Sequence, residues 1–344
     1  MKAIFAHGPK DIRLTDIDAE PLKPGEVRVN TARGGICGSD LHYFNHGGFG
    51  DVRLKEPMIL GHEVSGYIAE LGAEVQGLEV GDLVAISPSR PCGACEYCQQ
   101  GLQNHCMHMR FYGSAMPFPH IQGAFRTSLV IDSSQAVPAR GISPEEAAMA
   151  EPLSVGLHAV SRAGNVFGKT VMVTGCGPIG VMCVLAARRA GAAKVIAVDI
   201  SDFTLEFAKR AGADSVINSL TQPEAFEVLR SGKGQVEALI ECSGSEAALT
   251  NAITCMRPRG AIVQLGLGGP MSLPMMAITA KELELRGSFR FHQEFHKAVE
   301  FMAAGLIDVK PILTHTYGLD AFRDAFEVAV DRKVAMKVQV AFDQ

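Results

Sequence analysis

Apolar and polar positions alternate repeatedly through the first 140 residues, as half-buried strands require. Lys2 to Ala6, Glu26 to Ala32, Val64 to Leu71 and Leu83 to Ser87 read as strands, split by Pro9, Pro24-Gly25, Gly72 and Gly81-Asp82. An irregular, mostly β region is expected. A lobe around Cys92 to Cys106, rich in Pro, Gly and polar residues, interrupts it and has too few apolar side chains to hold itself together by burial.

The pattern changes after Ser143-Pro144-Glu145-Glu146, where a Ser cap, Pro at the first helical position and early acidic residues open a helix. Val171 to Thr174 is a short apolar strand, Gly175 to Gly180 a glycine turn, and Val181 to Ala190 an apolar helix closed by Gly191. A strand at Val195 to Val198 stops at Asp199, and a helix over Phe203 to Ala211, a strand at Ser215 to Ile217 and a helix near Glu224 to Arg230 follow. Further strands are expected at Ala238 to Glu241 and Ala261 to Leu265. Strands alternating with helices predict βαβ units on a parallel sheet. Beyond Arg286 the chain runs through GSFRF into helices near Glu294 to Ala304 and Leu319 to Val330, then a strand at Lys337 to Phe342.

At 344 residues the chain exceeds one core of ordinary size, so two domains are expected. With 47% hydrophobic and 20% charged residues it is neither disordered nor fibrous. A net charge of -5 without a basic cluster argues against nucleic acid as a partner. No apolar segment approaches the roughly 18 residues that span a bilayer, and the N-terminal apolar run is short, so no membrane partner and a cytoplasmic location are expected. Nine cysteines, an odd number and partly bunched, favour metal ligation and free thiols over a disulfide framework.

In RGGICGSDLHY, Cys37 is followed by Ser39, Asp40 and His42, and Gly61-His62-Glu63 lies downstream. A thiolate, an imidazole and a carboxylate are what zinc takes when it keeps one position open, although the same residues also read as an inert buried cysteine and an unrelated histidine. Cys92, Cys95, Cys98 and Cys106 form C-x2-C-x2-C-x7-C, a spacing suited to a closed, structural zinc. An iron-sulfur cluster is the alternative, but its usual cysteine run is spaced differently. Cys176, Cys183, Cys242 and Cys255 are expected to be packing residues.

Gly175-Cys176-Gly177-Pro178-Ile179-Gly180 matches G-x-G-x-x-G between a strand and a helix, and Asp199 ends the following strand. The turn therefore predicts a dinucleotide site: Gly175, Gly177, Pro178, Ile179 and Gly180 at the pyrophosphate and Asp199 at the ribose hydroxyls. The Asp199 carboxylate would repel a 2′-phosphate and no arginine follows at once, so NAD is favoured over NADP.

CGSDLHYF, GHEVSG, PCGACEYCQQGLQNHC, MRFYGSAMPFPHIQGAF, AEPLSVGLHA, GCGPIG and RGSFRF together resemble the zinc-dependent medium-chain dehydrogenases over essentially the whole chain. Within them the likeness is to the sorbitol, xylitol and L-idonate dehydrogenase branch. The resemblance implies a Rossmann dinucleotide domain at 152–288 and a mostly β, GroES-like catalytic domain at 1–151 and 289–344, with a structural-zinc lobe at 90–107. It implies two zinc ions per subunit, one of them held by Cys37, His62 and Glu151, with Glu63 able to reach the metal or its water. Ser39 and His42 match a proton relay, Tyr43, Arg290 and Phe291 fall at substrate-facing positions, and Leu265, Gly266 and Leu267 join the cofactor contacts. Phe291 stands where sorbitol dehydrogenases commonly carry Tyr, and Thr204 where many relatives place a ribose-contacting arginine. The implied reaction oxidises a secondary hydroxyl of a sugar acid or polyol with NAD, L-idonate to its 5-keto acid ranking before sorbitol or xylitol. The implied assembly is a homotetramer. Rival readings are a non-catalytic dinucleotide-binding relative, which would lack the Cys37, His62 and Glu151 set, and a zinc-module nucleic-acid binder, which would need a basic surface.

Overall fold

The computed structural model describes residues 1–342. Two compact units form: Met1–Glu151 with the chain from Phe295 on, and Pro152–Glu294.

In the first unit, strand Glu26–Gly35 is the hub of a seven-stranded sheet. One edge pairs antiparallel with Glu63–Leu71. The other edge is shared, its first half pairing with Ser128–Asp132 and its last three residues with Lys337–Ala341. At the changeover the register to Glu63–Leu71 shifts between Thr31 and Arg33, an irregularity that bends the strand. Leu83–Ile86 and Ala136–Pro138 extend the sheet on one side, and Leu313–Gly318 extends it on the other. Val27, Val29, Val64 and Ile68 point to one core, where Phe125 meets Phe326 and Phe342 at centroid distances of 6.3 and 6.0 Å.

The second unit is a six-stranded, wholly parallel sheet in the order Ser215–Asn218, Lys194–Asp199, Thr170–Thr174, Val236–Glu241, Met256–Gln264, Glu284–Gly287. Its central strands are buried on both faces, which explains their unbroken apolar runs. The chain winds outward from Thr170–Thr174, then returns to place Val236–Glu241 on that strand's other side. This creates a topological switch point between the two strands, and the crevice outside their carboxyl ends is where such sheets bind ligands.

Several elements differ from the sequence reading. The helix after the glycine turn spans Pro178–Arg189 and so starts before Val181, because Gly177 caps it and proline fits its first position. The helix opened by Ser143 closes at Met149, and a new one runs over Ala150–Ala163. Ser143 and Glu146 form a reciprocal capping box, with N···O distances of 3.3 and 3.0 Å. Helices Gly38–His46 and Glu246–Cys255 and the edge strand Glu284–Gly287 were not foreseen. The second unit also runs past 288 to Glu294, which pairs with His158 Nδ1 at 3.1 Å and accepts from His292 N at 3.0 Å. Burial pushes the Glu294 carboxyl up, but the His158 ring and the His292 amide outweigh it and bring it down to about 2. Arg290 and Phe291 therefore belong with the second unit. No helix among the described residues is long and apolar enough to cross a membrane.

Candidate metal centres and dinucleotide turn

Cys37 caps helix Gly38–His46 in an extended conformation. The Asp40 carboxylate accepts from Cys37 N at 3.0 Å and from Gly61 N at 3.1 Å, so one fully buried group pins both ligand-bearing segments. His62 Nδ1 faces the same carboxylate at 3.9 Å, the kind of arrangement that orients a metal-binding ring. Two glycines make room. A Cβ on Gly61, at φ +90°, would strike the Phe125 ring, and one on Gly35 would strike the Glu63 carboxylate.

The donor atoms of Cys37, His62 and Glu63 all lie within 4.8 Å of one another. Glu151, in the first turn of its helix, is outside that set but is buried and feels the same charges. Burial pushes its carboxyl up to about 8, with the charges of Glu63 and Cys37 adding to the rise against His62. Burial and the Glu63 charge likewise push the Cys37 thiol up to about 11. Glu63 Oε1 and His62 Nδ1 have no hydrogen-bond partner. These crowded buried acids, with orphaned atoms on Glu63 and His62, call for more positive charge than one side chain supplies, and a zinc ion with an open position fits them. One cation is already present: Lys337, 2% exposed, pairs with Glu63 and donates to Ile36 O at 3.2 Å.

Ser39 and His42 lie on one face of helix Gly38–His46, and the Ser39 hydroxyl reaches the Cys37 sulfur. Partial burial, then His46 and Arg332, hold the His42 ring below its usual value. Tyr43 is 2% exposed, and its hydroxyl accepts from Ala115 N at 3.1 Å.

The sulfurs of Cys92, Cys95, Cys98 and Cys106 also lie within 4.8 Å of one another. Backbone amides point at them: Cys92 N and His108 N donate to Cys106 Sγ at 3.2 and 3.3 Å, and Cys95 N to Cys92 Sγ at 3.4 Å. The amides of Cys98 and Met107 bring the Cys95 thiol down to about 6. Burial pushes the Cys98 thiol up to about 12, so the amides favour thiolate at some of the four sulfurs only, and a cation among them would favour it at all; the closed, four-sulfur set fits a structural zinc.

In the dinucleotide turn the three glycines have separate reasons. Gly175 adopts φ +79°, where a Cβ would meet Ser243 N at 2.6 Å, and a Cβ on Gly180 would meet Gly175 O at 1.8 Å. A Cβ on Gly177 would meet no protein atom within 4 Å. That open space, at a helix N-terminus with no side-chain cap, suits a pyrophosphate. Asp199 accepts from Cys176 N at 2.5 Å, Ile200 N at 2.7 Å and Ser201 N at 3.0 Å. A carboxylate has about four acceptor positions, so roughly one is left for a ribose hydroxyl. Thr204 is buried and its hydroxyl donates to Ser201 O at 2.9 Å, serving its own helix. Leu265 N and Gly266 N donate to Glu241 O at 2.9 and 2.8 Å, and Leu267 is 84% exposed.

Arg290 stands at φ +54° with its guanidinium 4.9 Å from the Phe289 ring centroid, and the Phe291 side chain is 1% exposed. The nearby carboxylates Glu282 and Glu284 pair with Arg259 and Arg286. Buried charged residues that the sequence pattern does not single out include Lys337 and Glu241. The available signal was a charge at the start or end of an otherwise apolar strand.

Residues 23–141 match the alcohol dehydrogenase GroES-like domain and residues 178–304 the zinc-binding dehydrogenase domain. The chain is 40% identical to L-idonate 5-dehydrogenase (NAD(P)(+)) of Escherichia coli over 97% of both chains. It is 35% identical to the sorbitol dehydrogenase of Bacillus subtilis over 99% of this chain and 97% of that one. A crystal structure of L-idonate 5-dehydrogenase from E. coli superposes with a TM-score of 0.94 at 39% identity, covering 99% of this chain and 97% of the other. A Rossmann sheet, a mostly β GroES-like unit and donor sets for two zinc ions thus occur in one chain, which belongs to the zinc-dependent medium-chain dehydrogenases, oxidoreductases of alcohols and polyols that work with zinc and a nicotinamide dinucleotide.

Proposed function

We propose that the protein oxidises the secondary hydroxyl of L-idonate to the 5-keto acid with NAD. The open donor set at Cys37, His62 and Glu63 carries this reading, together with the likeness to L-idonate 5-dehydrogenase. Cys37 and His62, with Glu151 or Glu63, would hold the catalytic zinc, and Cys92, Cys95, Cys98 and Cys106 the structural one. A zinc ion so held supplies a Lewis acid that lets a hydroxyl lose its proton near neutral pH. The chain's own groups do the rest. Asp40 fixes the His62 ring and the Cys37 backbone. The hydroxyl proton would leave by way of Ser39 and the cofactor ribose towards His42, whose partial burial holds its pKa below the usual value. Gly175, Gly177, Pro178, Ile179, Gly180, Asp199 and Leu265 to Leu267 would hold the dinucleotide, which supplies the hydride acceptor when bound. Arg290 is the candidate for reading the substrate, and its planar fork suits the carboxylate of a sugar acid.

We further infer a homotetramer in the reducing cytoplasm. All nine cysteines are free. Edge strand Glu284–Gly287 and the exposed Leu267, Met275, Met276 and Leu285 offer unpaired backbone and apolar surface to another copy.

The deciding assay measures kcat/KM on L-idonate, sorbitol and xylitol, with NAD and with NADP, in the parent and in Arg290→Lys. L-idonate with NAD should be best, and Arg290→Lys should lose about tenfold or more on L-idonate and less on the neutral polyols. A parent that prefers a neutral polyol, or a variant that loses all substrates alike, would remove the acid-specific reading. Equal use of NADP would remove the cofactor preference.

A further inference from the structure

Glu241 ends strand Val236–Glu241 at the switch point of the parallel sheet and is 0% exposed. Among the described residues no Lys, Arg or His lies within ion-pair distance of its carboxylate. The group is instead surrounded by hydrogen-bond donors. Oε1 accepts from Ser243 N at 2.7 Å, from the Ser243 hydroxyl, and from Thr174 Oγ1 at 3.4 Å. Oε2 accepts from Gly244 N at 3.0 Å and from Gln264 Nε2 at 2.8 Å. One carboxylate therefore ties together the end of the first strand, the loop 242–244 and the end of strand Met256–Gln264. The loops meet so closely that a Cβ on Gly266 would lie 2.2 Å from Gly244 N.

Each carboxylate oxygen receives a backbone N–H. A glutamine could present only one oxygen and would leave Ser243 N or Gly244 N without an acceptor. The placement across the sheet adds a second point. Asp199 lies on one flank of strand Thr170–Thr174 and Glu241 on the other, so a dinucleotide with its adenosine ribose at Asp199 and its pyrophosphate at Gly177 would direct its nicotinamide half towards the Glu241 side of the sheet.

We propose that Glu241 is a positioning residue for the nicotinamide half of the cofactor, and that its uncompensated negative charge favours the oxidised, cationic ring over the reduced, neutral one. The inference rests on the dinucleotide reading above.

The test is equilibrium binding of NAD+, NADH and AMP to the parent, Glu241→Gln, Glu241→Asp and Gln264→Lys. Glu241→Gln should weaken NADH about tenfold and NAD+ on the order of fivefold further, with AMP unchanged. Glu241→Asp keeps the charge and should weaken NAD+ and NADH by the same factor. Gln264→Lys keeps a donor but supplies a counter-charge, so it should lower the preference for NAD+ even where Glu241→Gln does not fold. An unchanged NAD+ to NADH ratio in the folded charge variants, or a parallel loss of AMP, overturns the proposal. A parent that binds AMP, NAD+ and NADH all undetectably overturns the dinucleotide reading instead.

Discussion

Lys337 and Glu63 form an ion pair with 2% and 0% side-chain exposure. Removing one partner of such a pair leaves a charge stranded in low dielectric, which typically costs about 3–5 kcal/mol. Lys337→Met should therefore destabilise the protein by an amount of that order, read from denaturant unfolding, and Lys337→Arg should recover much of it. A Met variant as stable as the parent would mean that Glu63 finds other compensation. Single residues were unequally legible. Cys37, His62 and Glu63 announce themselves by chemistry, because few structures need a thiol, an imidazole and a carboxyl near glycines. Lys337 and Glu241 do not, since a strand reading KVQVA or VEALIE looks ordinary until its neighbours across the sheet are known.

Helix Gly38–His46 is short and flanked by glycines, and its apolar residues Leu41, Tyr43 and Phe44 span too little chain to establish a period. Asp40, folding back onto the Cys37 amide, starts it, and Gly47 at φ +66° stops it. Strand Glu284–Gly287 was hidden for another reason: at a sheet edge a strand needs no apolar alternation, and its residues are largely exposed. The strands of the parallel sheet were visible because burial on both faces demands unbroken apolar runs. The cysteine lobe contains only helix Glu96–Gln99 and a single 3-10 turn at Gln103–His105. A zinc ion held by its four cysteines would supply the folding energy that so little secondary structure does not. Cys95→Ser should lower the melting temperature by several degrees and impair assembly, while turnover per folded subunit falls less. Calorimetry and sedimentation compared with kcat will check this, and a variant that melts and assembles like the parent would show the lobe to be dispensable.

Across the whole molecule, the two candidate metal sites differ in kind. Four converging sulfurs with amide donors can close a tetrahedral set, whereas the three donors of Cys37, His62 and Glu63 would leave a fourth position for water or substrate. Chelation should act in two stages: phenanthroline abolishes turnover first, with the fold intact and activity restored by zinc, and melting falls only later. Full turnover in protein shown to be metal-free would remove zinc from the mechanism. The order of the chain adds a consequence for biosynthesis. The hub strand Glu26–Gly35, which delivers Cys37, gains its last neighbour only when Lys337–Ala341 emerges, and Lys337 reaches Ile36 across 301 residues. Pro152–Glu294 is contiguous and can close while the tail is still on the ribosome. Loading of a metal at Cys37 would then follow synthesis of the tail. A premature stop after Glu294 would release a folded dinucleotide unit attached to a sheet that cannot finish its first ligand.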